Sequence, residues 1–237
     1  MSLASINRTI RALCFEVDAV SDARTNWRNL SEIDLLYEAV VCMFSSQMMF
    51  EVAVAAADRL KVLGLLCGSK MGVAHLNYEA RLLEALSYPL EVEINGMHRT
   101  MMPRFRNRLS SLLSATVRKI YGEGASIQSI LFAAKSSNHA RELLVSVVSG
   151  FGPKQSSLFL RRVGYCSELA ILDTHIMDYL KLARGIEPKA SALSKLTTYE
   201  RIEDEFRAVA RDFGHTIGIV DLAMWVTMRV AKREGMA

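Results

Sequence analysis

Lys154 and Asp173 are the pair of side chains in this sequence best suited to act together as an amine and a carboxylate. Lys154 follows directly on a Gly150-Phe151-Gly152-Pro153 turn, and Asp173 opens an Asp-Thr-His-Ile run beyond the next short helix. A lysine in the first turn of a helix meets the positive end of the helix dipole, and Arg161 and Arg162 follow on the same helix. Partial desolvation under Phe151 acts in the same direction. All three disfavour the ammonium form, so a fraction of free amine is expected at neutral pH. That is the form that attacks an electrophilic carbon and yields a Schiff base. A solvated lysine touching a phosphate is the alternative for the same residue. Asp173 reads as a helix N-cap. The cap is compatible with a second role, taking a proton from the amine or stabilising positive charge on a sugar ring. His175 reads as packing or support, since no other metal-ligating side chains lie nearby in sequence.

The turn before Lys154 suits an anion. Gly150 and Gly152 permit backbone angles that other residues resist and let a second molecule approach the main chain. The amides that open the following helix point outward, and a phosphate is their natural partner. Phe151 can pack between the two helices and fix their angle. Gly-x-Gly-x-Lys by itself reads first as a tight helix–helix turn; the added weight comes from the succession of helix, glycine turn, lysine, helix and then Ala-Ile-Leu-Asp-Thr-His-Ile. Charge points the same way. Between Ile94 and Ser167 there are eleven bases and two acids, a balance of +9, against −5 for the rest of the chain. Such a block is either a solvated face or a polyanion-binding surface.

The elements that must hold these residues read almost entirely as helix. Expected helices run from Ala4 to Val17, from near Ser31 to about Ser46, from Met48 to Leu63 with a stop at Gly64, and from Leu76 to Leu86. Gly68 to Val73 reads as a loop. Asn95-Gly96 between alternating residues predicts a β-hairpin over about Leu90 to Met102. Helices resume at Arg106 to Tyr121, Ser126 to Lys135 and Asn138 to Val148. In the last of these, Ala140, Leu143, Leu144, Val147 and Val148 form an apolar stripe. The lysine helix follows over Gln155 to Val163, with Pro153 tolerated in its first turn. Thr174 to Ala183, Lys195 to Phe213 and Thr216 to Arg233 complete the set. Met43, Met48 and Met49 read as core. No repeat of fixed period is visible.

Composition excludes several classes. With 51% hydrophobic residues in 237, the chain can bury a sizeable core. The most apolar stretch, Leu35 to Leu66, is interrupted by acids, bases and amides, so no membrane span is expected. The first twenty residues carry early acids and no small-residue cleavage pattern, which argues against a leader. Cys14, Cys42, Cys67 and Cys166 lack the spacing of a metal or cluster site and read as buried thiols in a reducing cytoplasm.

The run Ser149-Gly-Phe-Gly-Pro-Lys154, followed by Leu172-Asp-Thr-His-Ile176, resembles the helix-hairpin-helix DNA glycosylase superfamily. Leu36-Tyr-Glu-Ala-Val-Val-Cys-Met-Phe-Ser-Ser-Gln47 is similar to that superfamily's early helix, which ends in Ser-x-Gln. Together with Pro103 to Gly122 and Val220 to Arg229, the likeness is greatest to its second, archaeal-type 8-oxoguanine glycosylase/lyase family, and it spans roughly Leu35 to Arg229. The resemblance implies a mainly α, two-lobed helix-hairpin-helix glycosylase fold with one small β-hairpin insertion. The lobes would interleave, about 31–135 forming one and 1–30 with 136–237 the other. It implies a bifunctional DNA N-glycosylase and abasic-site lyase acting on an 8-oxoguanine-like oxidised purine in double-stranded DNA. Lys154 would be the nucleophile and Asp173 the activating carboxylate. Gln47, Gly150, Phe151, Gly152 and Arg161 would contact DNA, with Gln47 wedged into the gap left by an extruded base, and Trp225 would line the base pocket, a core position being the alternative. No cofactor and no metal centre are implied, although the hairpin carbonyls can hold a monovalent cation. The expected protein is a cytoplasmic monomer. The endonuclease III cysteine pattern is absent. The chain also runs on past Trp225 through Ala-Lys-Arg-Glu-Gly-Met-Ala, and the Asn95-Gly96 hairpin looks inserted; these departures bear on which base is read. Two other readings stay open: a non-catalytic nucleic-acid-binding module of the same hairpin type, and a glycosylase for a different modified base.

Overall fold

The computed structural model of the protein describes residues 2–20, 26–66 and 77–233. Cys67, the expected Gly68–Val73 loop, the residue 76 at which a helix was expected to start, and the last four residues lie outside them. The described elements are eleven α-helices, one two-stranded antiparallel sheet and short 3-10 turns. In chain order they are α1 (Leu3–Val20), α2 (Glu32–Ser45), α3 (Phe50–Val62), α4 (Tyr78–Leu86), β1 (Leu90–Ile94), β2 (Met97–Met101), α5 (Arg106–Tyr121), α6 (Ile127–Ala133), α7 (Ser137–Val147), α8 (Pro153–Arg162), α9 (Thr174–Arg184), α10 (Leu196–Phe213) and α11 (Ile217–Arg233). The 3-10 turns at Trp27–Asn29 and Ala190–Ser194 have no counterpart in the sequence expectations.

The chain divides into two compact units, residues 26–151 and residues 1–25 with 152–237. The sequence expectation placed 136–151 with the termini. The structure puts that stretch in the middle unit, because α7 packs against α5 and α6 there.

In the middle unit, α2 opens on a reciprocal cap. The Ser31 hydroxyl accepts the Asp34 amide at 3.2 Å, and the Asp34 carboxylate accepts the Ser31 amide. Its apolar body, Leu35 through Phe44, is buried against α3, α5 and α6. Met43 belongs to that core, but Met49 is 46% exposed. It sits at the N-cap of α3, outside the helical stripe that would have carried it inward. The hairpin pairs Ile94 with Met97 across Asn95 and Gly96, whose φ values of 54° and 74° make the two-residue turn that follows the strand twist. Leu90, Val92 and Ile94 alternate inward onto α3, while β2 is exposed along most of its length.

The terminal unit is a helical cluster. Ile6, Ile10 and Cys14 form the inward stripe of α1, which packs on α11. Tyr199, Ile202, Phe206, Val209, Ala210 and Phe213 do the same for α10. Two carboxylates interrupt these apolar faces: Glu203 on α10 is 1% exposed and Asp221 on α11 is 4% exposed. Isolated buried carboxylates are costly, so each must have a partner.

Candidate active site

The partners of those carboxylates are the main chain just ahead of Asp173. The Ala170 amide donates to Glu203 Oε1 at 2.8 Å, and the Ile171 amide donates to Asp221 Oδ2 at 2.6 Å. The Leu172 amide donates to the Tyr199 hydroxyl at 3.0 Å, which in turn donates to the Ala170 carbonyl at 2.9 Å. Three successive amides of an irregular segment are thus satisfied by side chains of α10 and α11. The segment delivers Asp173 to the N-cap of α9. There its Oδ1 accepts the amides of His175 (2.9 Å) and Ile176 (3.0 Å), so the cap uses only one carboxylate oxygen.

Asp221 also pairs with Arg161, whose Nη1 lies 2.7 Å from Oδ2 while Nη2 donates to the Gly218 carbonyl at 2.9 Å. Burial pushes the Asp221 carboxyl up to about 6; the Arg161 charge and the Ile171 amide pull it down, and the nearby charge of Asp173 pushes it further up. Burial likewise raises the Tyr199 phenol, which keeps it a neutral hydroxyl able to donate and accept. Arg161, expected to contact DNA, has its guanidinium bracing the start of α11.

Lys154 lies in the first turn of α8. Val148 closes α7 and its carbonyl accepts the Phe151 amide at 3.1 Å. Gly150 has φ +85°, where a side chain is strained, and a Cβ there would come within 2.9 Å of Leu112 Cδ1. Phe151 is buried. Gly152 is different. Its φ of −112° suits any residue, and a Cβ would meet nothing nearer than Gln155 Oε1 at 3.8 Å. As N-cap it supplies no side-chain acceptor to the first amides of α8. At the other side of the turn the Ser146 carbonyl receives the Lys119 ammonium. Like the Val148 carbonyl, it accepts a donor from the protein itself.

The structure brings Lys154 and Asp173 together. Both line one cavity of about 540 Å³ within the terminal unit, with Gly152, Gln155, Met177 and Tyr199 also in its wall. Lys232 lies on the same wall and pairs with Asp178 at 2.8 Å. Trp225 is not part of the described lining. It is half-buried, with the His175 ring edge-on at 6.1 Å and the Arg229 guanidinium 4.8 Å above it. His175 therefore packs, as its sequence context suggested. A larger hollow of about 720 Å³ in the middle unit has no lysine, cysteine or serine in its described wall. Its Arg59 is committed to the carbonyls of Tyr88 and Pro89.

In the middle unit Gln47 occupies the turn after α2, half-buried, beside exposed Met49 and Phe50. Of the bases in the Ile94–Ser167 block, Arg99, Arg104, Arg106, Arg108, Arg118, Lys119 and Lys135 are exposed. Arg141 is fully buried and reaches Asn138, so it does not belong to an outward basic face. Among the described residues no group of three or more His, Cys, Asp or Glu could hold a metal ion. Cys14 and Cys42 are buried and Cys166 is half-buried. No described helix is long and apolar enough to cross a membrane. The sequence reading missed Tyr199, Glu203 and Asp221. The signal for the two acids was present, a carboxylate set within each apolar helical stripe.

Known proteins bear on the same segment. The chain is 32% identical over 143 residues to an 8-oxoguanine DNA glycosylase/AP lyase of Saccharolobus solfataricus, covering 60% of this chain and 67% of that protein. Its fold matches the crystal structure of the Methanocaldococcus jannaschii 8-oxoguanine DNA glycosylase, with a TM-score of 0.70, 22% identity, and coverage of 98% and 95% of the two chains. A complex of that enzyme with DNA containing 8-oxoguanine matches with a TM-score of 0.62 at 21% identity, covering 98% of this chain and 90% of the other. The family model for 8-oxoguanine DNA glycosylase matches residues 17–215, which include the glycine turn, Lys154 and Asp173 with its clamp through Glu203, and the chain belongs to that family.

Proposed function

We infer that the protein is a bifunctional DNA N-glycosylase and abasic-site lyase that removes an oxidised purine, with Lys154 as nucleophile and Asp173 as the carboxylate that serves it. The observation that carries the reading is that these two side chains line one cavity. Each is held by a different local device, a helix start and a helix cap. Family membership and the relatives named glycosylase/AP lyase support the reaction class.

The first amides of α8 and the glycine turn take a DNA phosphate, and exposed arginines of the middle unit add backbone contacts. The damaged nucleotide is drawn out of the stack, at a cost of a few kcal/mol that is least for a damaged or mispaired base. Gln47, in the turn after α2, fills the gap. Asp173 accepts a proton from the Lys154 ammonium. The free amine forms a bond to C1′ as the C1′–N bond breaks, and the base leaves with that electron pair and takes up a proton. Ring opening gives a Schiff base between Nζ and C1′. Loss of a C2′ proton then expels the 3′ phosphate by β-elimination, and water releases the lysine. No cofactor enters these steps. A monovalent cation at the hairpin carbonyls would only reinforce a turn whose Val148 carbonyl already holds the Phe151 amide. The protein acts as a monomer in the cytoplasm.

Borohydride traps a Schiff base as a stable amine. Wild-type protein should crosslink to an 8-oxoguanine or abasic strand in borohydride, and Lys154→Gln should not. Equal trapping by the variant would remove Lys154 from the mechanism. Tight duplex binding with no trapping on any lesion would leave a binding module instead.

A further inference from the structure

The catalytic reading gives Asp173 a task but leaves three buried polar groups, Tyr199, Glu203 and Asp221, outside the reaction. All three turn toward the same short segment. Their bonds to the amides of Ala170, Ile171 and Leu172 leave no main-chain donor between Leu169 and Asp173 to choose its own direction. The Asp173 amide itself donates to the Ile171 carbonyl at 2.7 Å, so the residue whose amide Asp221 holds is also the one on which Asp173 rests. Arg161 ties this grip to the lysine helix. It leaves α8 two turns after Lys154, meets Asp221, and holds the Gly218 carbonyl. Gly218 in turn donates its amide to the Ser167 carbonyl, at the far end of the same loop. A Cβ at Gly218 would come to 3.2 Å from that carbonyl oxygen, so the approach of α11 to the loop is close.

The helix that carries the amine and the loop that carries the carboxylate are therefore joined through the Arg161–Asp221 ion pair, beside a bond from Ser157 of the same helix to Tyr199. We propose that Asp221, held by Arg161, is a positioning residue for base excision: it fixes the main chain of Ile171 and through it the distance and orientation of the Asp173 carboxylate toward Lys154. The inference rests on the roles given above to Lys154 and Asp173. A burial role alone would be met better by an apolar side chain, because a buried pair is weak support for stability compared with packed hydrophobic residues. A shift of about an ångström between reacting groups costs on the order of a hundredfold in rate, which is the scale on which such a clamp acts.

The experiment measures single-turnover excision of 8-oxoguanine at saturating protein, duplex Kd, and amide exchange of the peptides covering 168–175 and 150–158. Wild type, Asp221→Asn and Asp173→Asn are compared. The double variant Arg161→Gln/Asp221→Asn, which leaves no unpaired buried charge, serves if the single one is poorly folded. Asp221→Asn should lose tenfold or more in excision rate with Kd within twofold. Exchange should rise in 168–175 and not in 150–158. An excision rate equal to wild type would overturn the proposal, as would faster exchange in both peptides with weakened binding, which marks a merely structural role. If Asp173→Asn excises at the wild-type rate, it is the catalytic reading that fails. If Asp173→Asn is slow while Asp221→Asn is normal, only the positioning inference fails.

Discussion

The two glycines of the turn make a sharp test, because the structure gives them different reasons to be there. At Gly150 an alanine would have to hold φ near +85°, which costs about 1–2 kcal/mol for a residue with a Cβ. Its methyl would also press on Leu112 at 2.9 Å, and the end of that side chain must move, adding a few tenths to about 1 kcal/mol. Gly150→Ala should therefore lose about 2 kcal/mol of stability. At Gly152 φ and ψ are ordinary extended values and the nearest neighbour is an ordinary contact at 3.8 Å. Reduced freedom of the unfolded chain favours alanine by about 0.4–1 kcal/mol, and the weaker N-cap offsets roughly that amount. Gly152→Ala should leave stability within about 0.5 kcal/mol. If a phosphate lies against the first amides of α8, the same methyl stands in its path, and losing one charge-assisted contact of about 1.5 kcal/mol weakens binding roughly tenfold. Urea unfolding and fluorescence anisotropy on a duplex with an abasic analogue, at one fixed salt concentration, measure the two quantities. Gly152→Ala binding as tightly as wild type would refute the phosphate seat at this turn. Equal destabilisation by both substitutions would refute the conformational argument.

Asparagine caps a helix about as well as aspartate, so Asp173→Asn should shift stability by less than about 0.5 kcal/mol while slowing excision about a hundredfold or more; an unchanged rate in a single-turnover assay would reduce Asp173 to its cap. The exposed bases of the middle unit should make log Kd climb steeply with log salt, and Arg104→Gln with Arg106→Gln should lower that slope by about 2 if each meets a phosphate. Arg141→Met should leave the slope alone, since that side chain is buried. The folded Asp221 carboxyl, raised to about 6, stands above the usual carboxylate range near ~4. Between these values the folded state binds the proton more tightly than the unfolded one. Stability from this group is then present below pH ~4 and is lost as pH rises through about 6. Asp221→Asn cannot titrate, so its stability relative to wild type should rise across that window by up to about 1.4 kcal/mol per pH unit; urea midpoints giving a constant gap would refute the assignment.

What the sequence made legible and what it hid divide by the range of the interactions. The Ser31–Asp34 cap, the Asn95-Gly96 turn, the span of α5 and the Asp173 cap are each written within a few neighbouring residues, and each is found where its local chemistry puts it. Lys154 and Asp173 were marked by the turn and the cap, and the tertiary structure adds that both line one cavity. Two of the departures are matters of facing. Arg141 and Arg161 were counted with the outward bases, yet Arg141 falls between Ala140 and Leu144 on the buried side of α7, and Arg161 turns inward to Asp221. A charge count over a window cannot see which side of a helix carries each charge. The clamp on the 170–172 amides was invisible for a related reason: its bonds span 33, 50 and 27 residues, and no local pattern encodes a partner that far away. Even so, one trace of it lies in the sequence. Glu203 sits between Ile202 and Phe206, and Asp221 beside Val220 and Met224, each on a face that burial would fill with hydrocarbon. A carboxylate tolerated there must meet donors, and in a helical unit the donors left over are amides of irregular segments. The irregular segment of this unit that most needs fixing is the one that ends in Asp173, so the two misplaced acids point to the site before any coordinate does.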